Sequence, residues 1–205
     1  MTFTPLETLA AVFGAVSVFL SVRENVWSWP TAIVNVTLYI FVFLSAKLYA
    51  DMALQAVYIL ISVYGWHQWL HGGAGRTALP VTRATRRLAA GLVGIAAVSV
   101  LILGTVLGRY TDAALPWLDS TTTVTSLVAQ WMMAKKILEN WLVWVAVDVV
   151  YIGMFLYKSL ALTALLYAVF LVLSATGYVQ WKRSLGSKAA SGGLSDARPA
   201  PYDAA

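Results

Sequence analysis

Seven stretches of the chain are apolar enough, over nearly enough residues, to read as membrane-spanning helices. A helix rises about 1.5 Å per residue, so about 20 apolar residues cover the roughly 30 Å hydrocarbon layer. The runs lie at about 4–22, 27–46, 52–70, 88–108, 120–135, 141–157 and 159–181. The second, third, fourth and seventh contain no Asp, Glu, Lys or Arg. The first holds only Glu7, near its end, and the sixth holds Asp148 well inside. The fifth, Ser120 to Lys135, is short and rich in Thr. From Ser184 to Ala205 the chain is Gly, Ser, Ala and Pro with scattered charge, which reads as a flexible cytoplasmic tail. The fold class expected is all-α integral membrane, with residues 1–183 forming one seven-helix domain.

A shift of 112 residues lays the chain on itself without a gap. Trp29 falls on Trp141, Tyr39 on Tyr151, Phe43 on Phe155, Ser62 on Ser174, Gly65 on Gly177, Gln68 on Gln180 and Trp69 on Trp181. From 29 to 69 there are 13 identities in 41 positions. Two arbitrary apolar helices share Leu and Val by composition, but not Trp, Gly, Gln and Tyr in one register. The pattern therefore predicts a duplicated unit of three helices, at about 5–70 and 120–182, joined by a linker helix at about 88–108. Three helices plus one is an even number of crossings, so the two units run parallel. Parallel repeats are a transporter architecture, with the binding site between the halves.

Composition agrees. The 205 residues are 60% hydrophobic and 11% charged, with mean hydropathy +0.75. A soluble domain is about a quarter charged, so this chain could not cover a water-facing surface. The net charge of +5 would suggest nucleic acid on a soluble protein; here it reports topology. Threading seven spans puts Lys47, Arg109 and Lys158 on the N-terminal side. The opposite side takes Arg23, Arg76, Arg83, Arg86, Arg87, Lys135, Lys136, Lys182, Arg183, Lys188 and Arg198. That bias predicts the N-terminus outside and the C-terminus in the cytoplasm. Arg23 follows the first apolar run rather than preceding it, the reverse of a cleavable signal peptide.

Helical periodicity then sorts the faces. On the sixth span Trp141, Trp144, Asp148, Tyr151 and Phe155 share an arc of about 80°. On the second, Trp29, Asn35, Tyr39 and Phe43 share about 120°. On the third, Gln55, Tyr58, Ser62, Gly65, Trp66 and Trp69 share a side, and on the seventh Tyr167, Phe170, Ser174, Gly177, Tyr178 and Trp181 repeat it. Lipid-facing surfaces prefer plain aliphatic residues, so these stripes should turn inward around a polar cavity. An acid inside a span costs about 2.5–3.5 kcal/mol on insertion scales, and Asp148 lies roughly 12 Å deep. It reads either as a hydrogen bond to a neighbouring helix or as a ligand group. Trp144 is placed to wall a flat or cationic ring. Trp141 could equally anchor at the interface, and Asn35 and Gln55 could equally join helices. Ser62, Ser174, Gly65 and Gly177 read as close-packing positions.

There is no Cys, no phosphate-binding GxxxxGK[ST] loop, no HExxH and no plausible metal cluster, so neither a cofactor nor an enzyme activity is expected. A membrane-embedded lipid enzyme would need a second acid, a His or a metal cluster at the depth of Asp148, and none is present. The seventh span has no internal Lys, against a retinal pigment.

Several blocks resemble one family in order: Arg23–Glu24–Asn25 with Trp27, Trp29, Pro30 and Asn35; Leu48 to Met52 with Leu54–Gln55; Tyr64 to Trp69; and Asn140 to Trp144 with Asp148. Over about residues 5–183 the chain is similar to the PnuC family of bacterial vitamin transporters. The resemblance implies a 3+1+3 helix fold like that of SWEET transporters, in the inner membrane. It implies facilitated diffusion of nicotinamide riboside, trapped by a cytoplasmic kinase for NAD biosynthesis. Taken with the inward-facing stripes, it points to a substrate site drawn from Asn35, Tyr39, Gln55, Tyr58, Trp141, Trp144, Asp148 and Tyr151. The family often carries Asn where this chain has Asp148, and relatives are assigned to thiamine and riboflavin, so the cargo stays open among B-vitamins. Whether copies associate as a homo-oligomer also stays open.

Overall fold

The computed structural model describes residues 5–45, 49–111, 115–157 and 161–195. Seven helices follow one another: α1 Pro5–Val22, α2 Ser28–Ser45, α3 Tyr49–His71, α4 Arg86–Tyr110, α5 Pro116–Ala134, α6 Asn140–Tyr157 and α7 Ala161–Ser195. Among the described residues the only β pairing is an isolated bridge between Thr82 and Ile137. Five helices, α1, α2, α4, α6 and α7, are long and apolar enough to cross a membrane. The protein is a multi-pass, all-α membrane protein.

Two boundaries differ from expectation. The fifth helix begins at Pro116 rather than near 120. Proline suits a first helical turn, where its missing N–H has no partner to lose, and the 19 residues then reach about 28 Å. α7 continues to Ser195, past residue 184 where the tail was expected. Leu185 packs against the buried cluster there, and Lys and Ala are good helix formers, so the composition does not stop the helix. Residues 196–205 lie outside the described residues.

α1 packs on α2 and α2 on α3; α5 packs on α6 and α6 on α7. Two further seams, α1·α7 and α3·α5, close the six helices into a ring. A shift of 112 residues converts one seam into the other. α4 stands outside the ring against α5, where Trp117 lies over Gly104 and leaves no room for a side chain at that position.

One end of the ring is sealed by tryptophan. Trp29, Trp69, Trp141 and Trp181 are each 3% exposed or less. Trp29 meets Trp69 edge-on at 5.4 Å, Trp141 meets Trp181 edge-on at 5.4 Å, and Trp69 meets Trp181 at 5.8 Å. Each such ring pair is worth about 0.5–1.5 kcal/mol beyond its buried area. Gly65 and Gly177 make the close approach possible, because a Cβ at either would overlap Trp29 or Trp141 respectively. The Trp69 indole donates to the Met133 carbonyl at 3.1 Å and the equivalent Trp181 indole to the Ser21 carbonyl at 3.0 Å.

The C-terminal ends of α1, α3 and α5 meet at this end, which α7 passes at Trp181. α1 and α5 both stop in the same way. Asn25 N–H reaches back to the Leu20 carbonyl, and Ile137 N–H to the Met132 carbonyl. The residue before each takes a left-handed conformation, Glu24 at φ 55° and Lys136 at φ 49°. Glycine is the usual occupant of that cap. Arg23, Arg76, Arg83, Arg86, Arg87, Lys135, Lys182 and Arg183 are grouped at this end with Lys136, whereas Arg109 is at the other. Lys47, Lys158 and Arg198 lie outside the described residues.

Candidate functional site

The six-helix ring encloses a cavity of about 590 Å³. All eight residues expected at a substrate site line it: Asn35 and Tyr39 from α2, Gln55 and Tyr58 from α3, and Trp141, Trp144, Asp148 and Tyr151 from α6. Helical spacing explains why. Positions three, four and seven apart share a face, so each helix delivers its stripe to the same wall.

The cavity is layered. Its floor is Trp29 and Trp141, equivalent residues resting on the tryptophan seal. Neither indole N–H of this pair has an acceptor among the described residues. A buried donor without a partner costs about 1–3 kcal/mol, so the floor holds two uncompensated donors. Toward the far end, Tyr39 stacks on Phe43 at 5.7 Å and Tyr151 on Phe155 at 5.9 Å. Tyr167 packs against Tyr151 at 4.8 Å, which widens the aromatic wall on the α6–α7 side.

Between these layers the two units stop matching. Asp148 stands where the first unit has Val36 and Trp144 where it has Ala32; nearer the far end, Gln55 stands where the second unit has Tyr167. Asp148 is 3% exposed, and the Ser174 hydroxyl of α7 donates to its Oδ2 at 3.1 Å. The helix-to-helix hydrogen bond and the cavity-lining position both hold for the same carboxyl. Asn35 is partly committed: its Nδ2 donates to the Ala10 carbonyl of α1 at 2.6 Å, which leaves the amide oxygen for other partners. A flat ring with polar substituents, inserted between Trp144 and the tyrosines, would meet acceptors and donors from several helices. No group of three or more His, Asp or Glu able to hold a metal occurs among the described residues.

A family profile described as "Nicotinamide mononucleotide transporter" matches residues 4–183. The chain belongs to this family. As a member it is a membrane transporter of a small molecule and not an enzyme. It is 27% identical to the nicotinamide riboside transporter PnuC of Escherichia coli (strain K12), over 91% of this chain and 90% of that protein. It is 25% identical to the riboflavin/roseoflavin transporter RibM of Streptomyces davaonensis, over 85% of this chain and 83% of that one. Among solved structures, one described as the vitamin B3 transporter PnuC superposes with a TM-score of 0.71 at 25% identity, covering 89% of this chain and 82% of that one.

The transporter's cavity also has walls that the aromatic stripes did not announce. Ser17 and Ser21 of α1 and Ser126 and Gln130 of α5 line it, as does Ser174. Their signal was polar residues four apart, on the two helices of the ring with the fewest aromatics. Conversely, Trp66 shares an angular stripe with Gln55 yet is 38% exposed and lies off the lining, and Tyr178, also off the lining, packs against the buried tryptophan cluster. Helices that cross at an angle present one stripe to a cavity over only part of their length.

Proposed function

We propose that this transporter carries nicotinamide riboside across the bacterial inner membrane by facilitated diffusion. A cytoplasmic kinase traps the imported nucleoside by phosphorylation and feeds NAD biosynthesis. The observation that carries the reading is the asymmetric middle layer of the cavity, where Trp144 and Asp148 of α6 stand at the positions held by Ala32 and Val36 in α2. Nicotinamide riboside is a flat pyridinium cation bearing an amide and a ribose. An aromatic face attracts such a cation, by about 0.5–2 kcal/mol depending on desolvation. Asp148, Gln55 and Tyr58 supply hydrogen-bonding groups for the amide and hydroxyls, and the free oxygen of Asn35 adds an acceptor. The N-terminus lies outside and the basic end faces the cytoplasm, in line with the Lys and Arg bias. The two triplets rock against each other around the central site, as parallel-repeat carriers do.

The test is uptake of labelled nicotinamide riboside into liposomes that contain the purified chain and no kinase. Internal label should rise to the outside concentration and stop. Accumulation above that level under a proton or sodium gradient would refute diffusion; no uptake would refute the cargo. A second reading, riboflavin, is favoured by the relative RibM alone. Competition of each vitamin against labelled nicotinamide riboside separates the two.

A further inference from the structure

We infer that cargo leaves at the basic end by parting of the α1·α7 seam, that Glu24–Lys136 is the latch on this exit, and that the α3–α4 loop makes the α3·α5 seam the hinge. The inference rests on the rocking motion above and assigns its moving parts. In a two-fold arrangement, a residue that touches its own equivalent must lie at the axis. Two pairs do so. Glu24 and Lys136 are 112 positions apart, and Lys136 Nζ lies 3.2 Å from Glu24 Oε2. Trp69 and Trp181 are also 112 apart, and their rings meet at 5.8 Å, tilted by 59°. The two layers are joined, because Lys136 Nζ also sits 4.5 Å over the Trp69 ring. Anything leaving the cavity along the axis at this end must part both pairs.

The backbone points to the same residues. Left-handed φ at a residue with a Cβ stores strain that glycine would avoid, and such strain persists where the side chain is used. Both equivalent caps carry it, and they carry opposite charges that meet. Lys136 is 5% exposed and the Glu24 side chain 22%, so the pair is partly desolvated rather than a fully exposed surface contact.

Duplicated halves would by themselves make two equal seams, each with one indole-to-carbonyl hydrogen bond. The loop between α3 and α4 breaks the equality. Leu79 N–H donates to the Trp69 carbonyl, Thr82 N–H to the Lys136 carbonyl at 2.9 Å, Leu138 N–H to the Thr82 carbonyl at 2.8 Å, and Ala84 N–H to Glu139 Oε2 at 2.8 Å. Val81 is buried in the same cluster. The loop thus straps α3 to the turn between α5 and α6. Residues 184–195, the equivalents of its larger part, are helical and continue α7 instead. Lys136 is therefore the anchored half of the latch, and Glu24, at the end of α1, is the half that moves. The Trp181-to-Ser21 bond is the seam contact that breaks with it.

The chain has no Cys, so label pairs can be introduced into the full-length protein without background. Arg23→Cys with Arg183→Cys spans α1·α7; His71→Cys with Lys135→Cys is its 112-residue equivalent across α3·α5. Both pairs are spin-labelled in liposomes and their distance distributions recorded by pulsed dipolar spectroscopy. Each is measured with the latch intact, with E24Q, with K136Q, and with the exchange E24K/K136E. The inference expects either neutral variant to shift the 23/183 distances longer, the 71/135 distances to stay, and the exchange to restore the short 23/183 population. Widening of both seams, widening of 71/135 alone, or no movement of either in a neutral variant that elutes as a single folded species would overturn it. No cargo is present, so the distances can fail while the uptake test succeeds, and the reverse.

Discussion

Removing Asp148 and removing Ser174 should harm transport in a defined order and not independently. In the structure, the Ser174 hydroxyl donates to Asp148 Oδ2, and both groups are 3% exposed on the cavity wall. Asp148→Ala deletes the only acid on the cavity wall among the described residues, and with it the contact to cargo proposed above. A hydrogen bond to a charged group is worth about 1.5–3 kcal/mol, so affinity for a cationic cargo should fall by roughly 10- to 150-fold. Asp148→Asn keeps an oxygen for Ser174 and a similar volume. A neutral bond is worth about 1 kcal/mol, so this variant should lose only about 3- to 30-fold. Ser174→Ala removes the donor that orients the carboxyl and should cost about 1 kcal/mol, near fivefold. In the Asp148→Ala background that last substitution should cost nothing more, because its partner is gone. The assay is calorimetric titration of nicotinamide riboside into detergent-purified protein, with uptake into kinase-free liposomes alongside. Additive losses in the double variant, or wild-type affinity in Asp148→Ala, would refute the assignment of the carboxyl to the ligand.

Trp144→Ala should abolish uptake while the protein still folds, inserts and melts near the wild-type temperature; unchanged uptake would move the ring wall elsewhere. Gly65→Ala and Gly177→Ala should each lower the melting temperature by a similar amount, since each Cβ would drive into the Trp29 or Trp141 ring; overpacking costs about 1–3 kcal/mol, more than the up to about 1 kcal/mol that Ala gains in a helix. Trp69→Phe and Trp181→Phe each delete one equivalent seam hydrogen bond, and the strapped α3·α5 seam should tolerate its loss better, read as a smaller fall in thermal stability for Trp69→Phe. Reporter fusions should place the N-terminus outside and the C-terminus in the cytoplasm; both termini in one compartment would break the seven-span topology.

Much of the fold was legible because its causes are periodic. The apolar runs marked seven helices, and the 112-residue register marked which helices are equivalent, down to the Trp29–Gly65 and Trp141–Gly177 contacts that occupy matching places. Periodicity also put the eight expected residues on cavity-facing sides, since a face is a local property of one helix. It could not say which residue on another helix a face would meet. Ser174 read as a packing position, yet it is the donor to Asp148 across α6 and α7. Asn35 read as either glue or ligand and is held by an α1 carbonyl. The strap was invisible for a different reason. Its contacts are backbone hydrogen bonds of residues 79–84 with α3 and the turn after α5, and one backbone N–H to the Glu139 carboxylate, and side-chain periodicity encodes no partner more than 50 residues away.

The division between matched and unmatched positions is itself informative about mechanism. A carrier built from two equal units has to satisfy two demands that conflict. Its rocking surfaces work best when the halves are alike, so that both extremes of the motion find equivalent packing; its cargo has no two-fold symmetry and needs unlike walls. The chain separates these demands by depth. Tryptophan, glycine and serine repeat at the sealed end, and tyrosine and phenylalanine repeat at the other, in near-identical ring geometry. The layer between them departs, at Ala32 against Trp144 and Val36 against Asp148, and the ring layers depart at single positions such as Gln55 against Tyr167. Substitutions that alter cargo preference without impairing the motion should therefore cluster in that layer, whereas substitutions in the repeated layers should alter turnover for every cargo alike. A screen for variants that favour riboflavin over nicotinamide riboside would decide it: selected changes concentrated at Trp29, Trp69, Trp141 or Trp181, and not in the middle layer, would mean that seal and selector are one device rather than two.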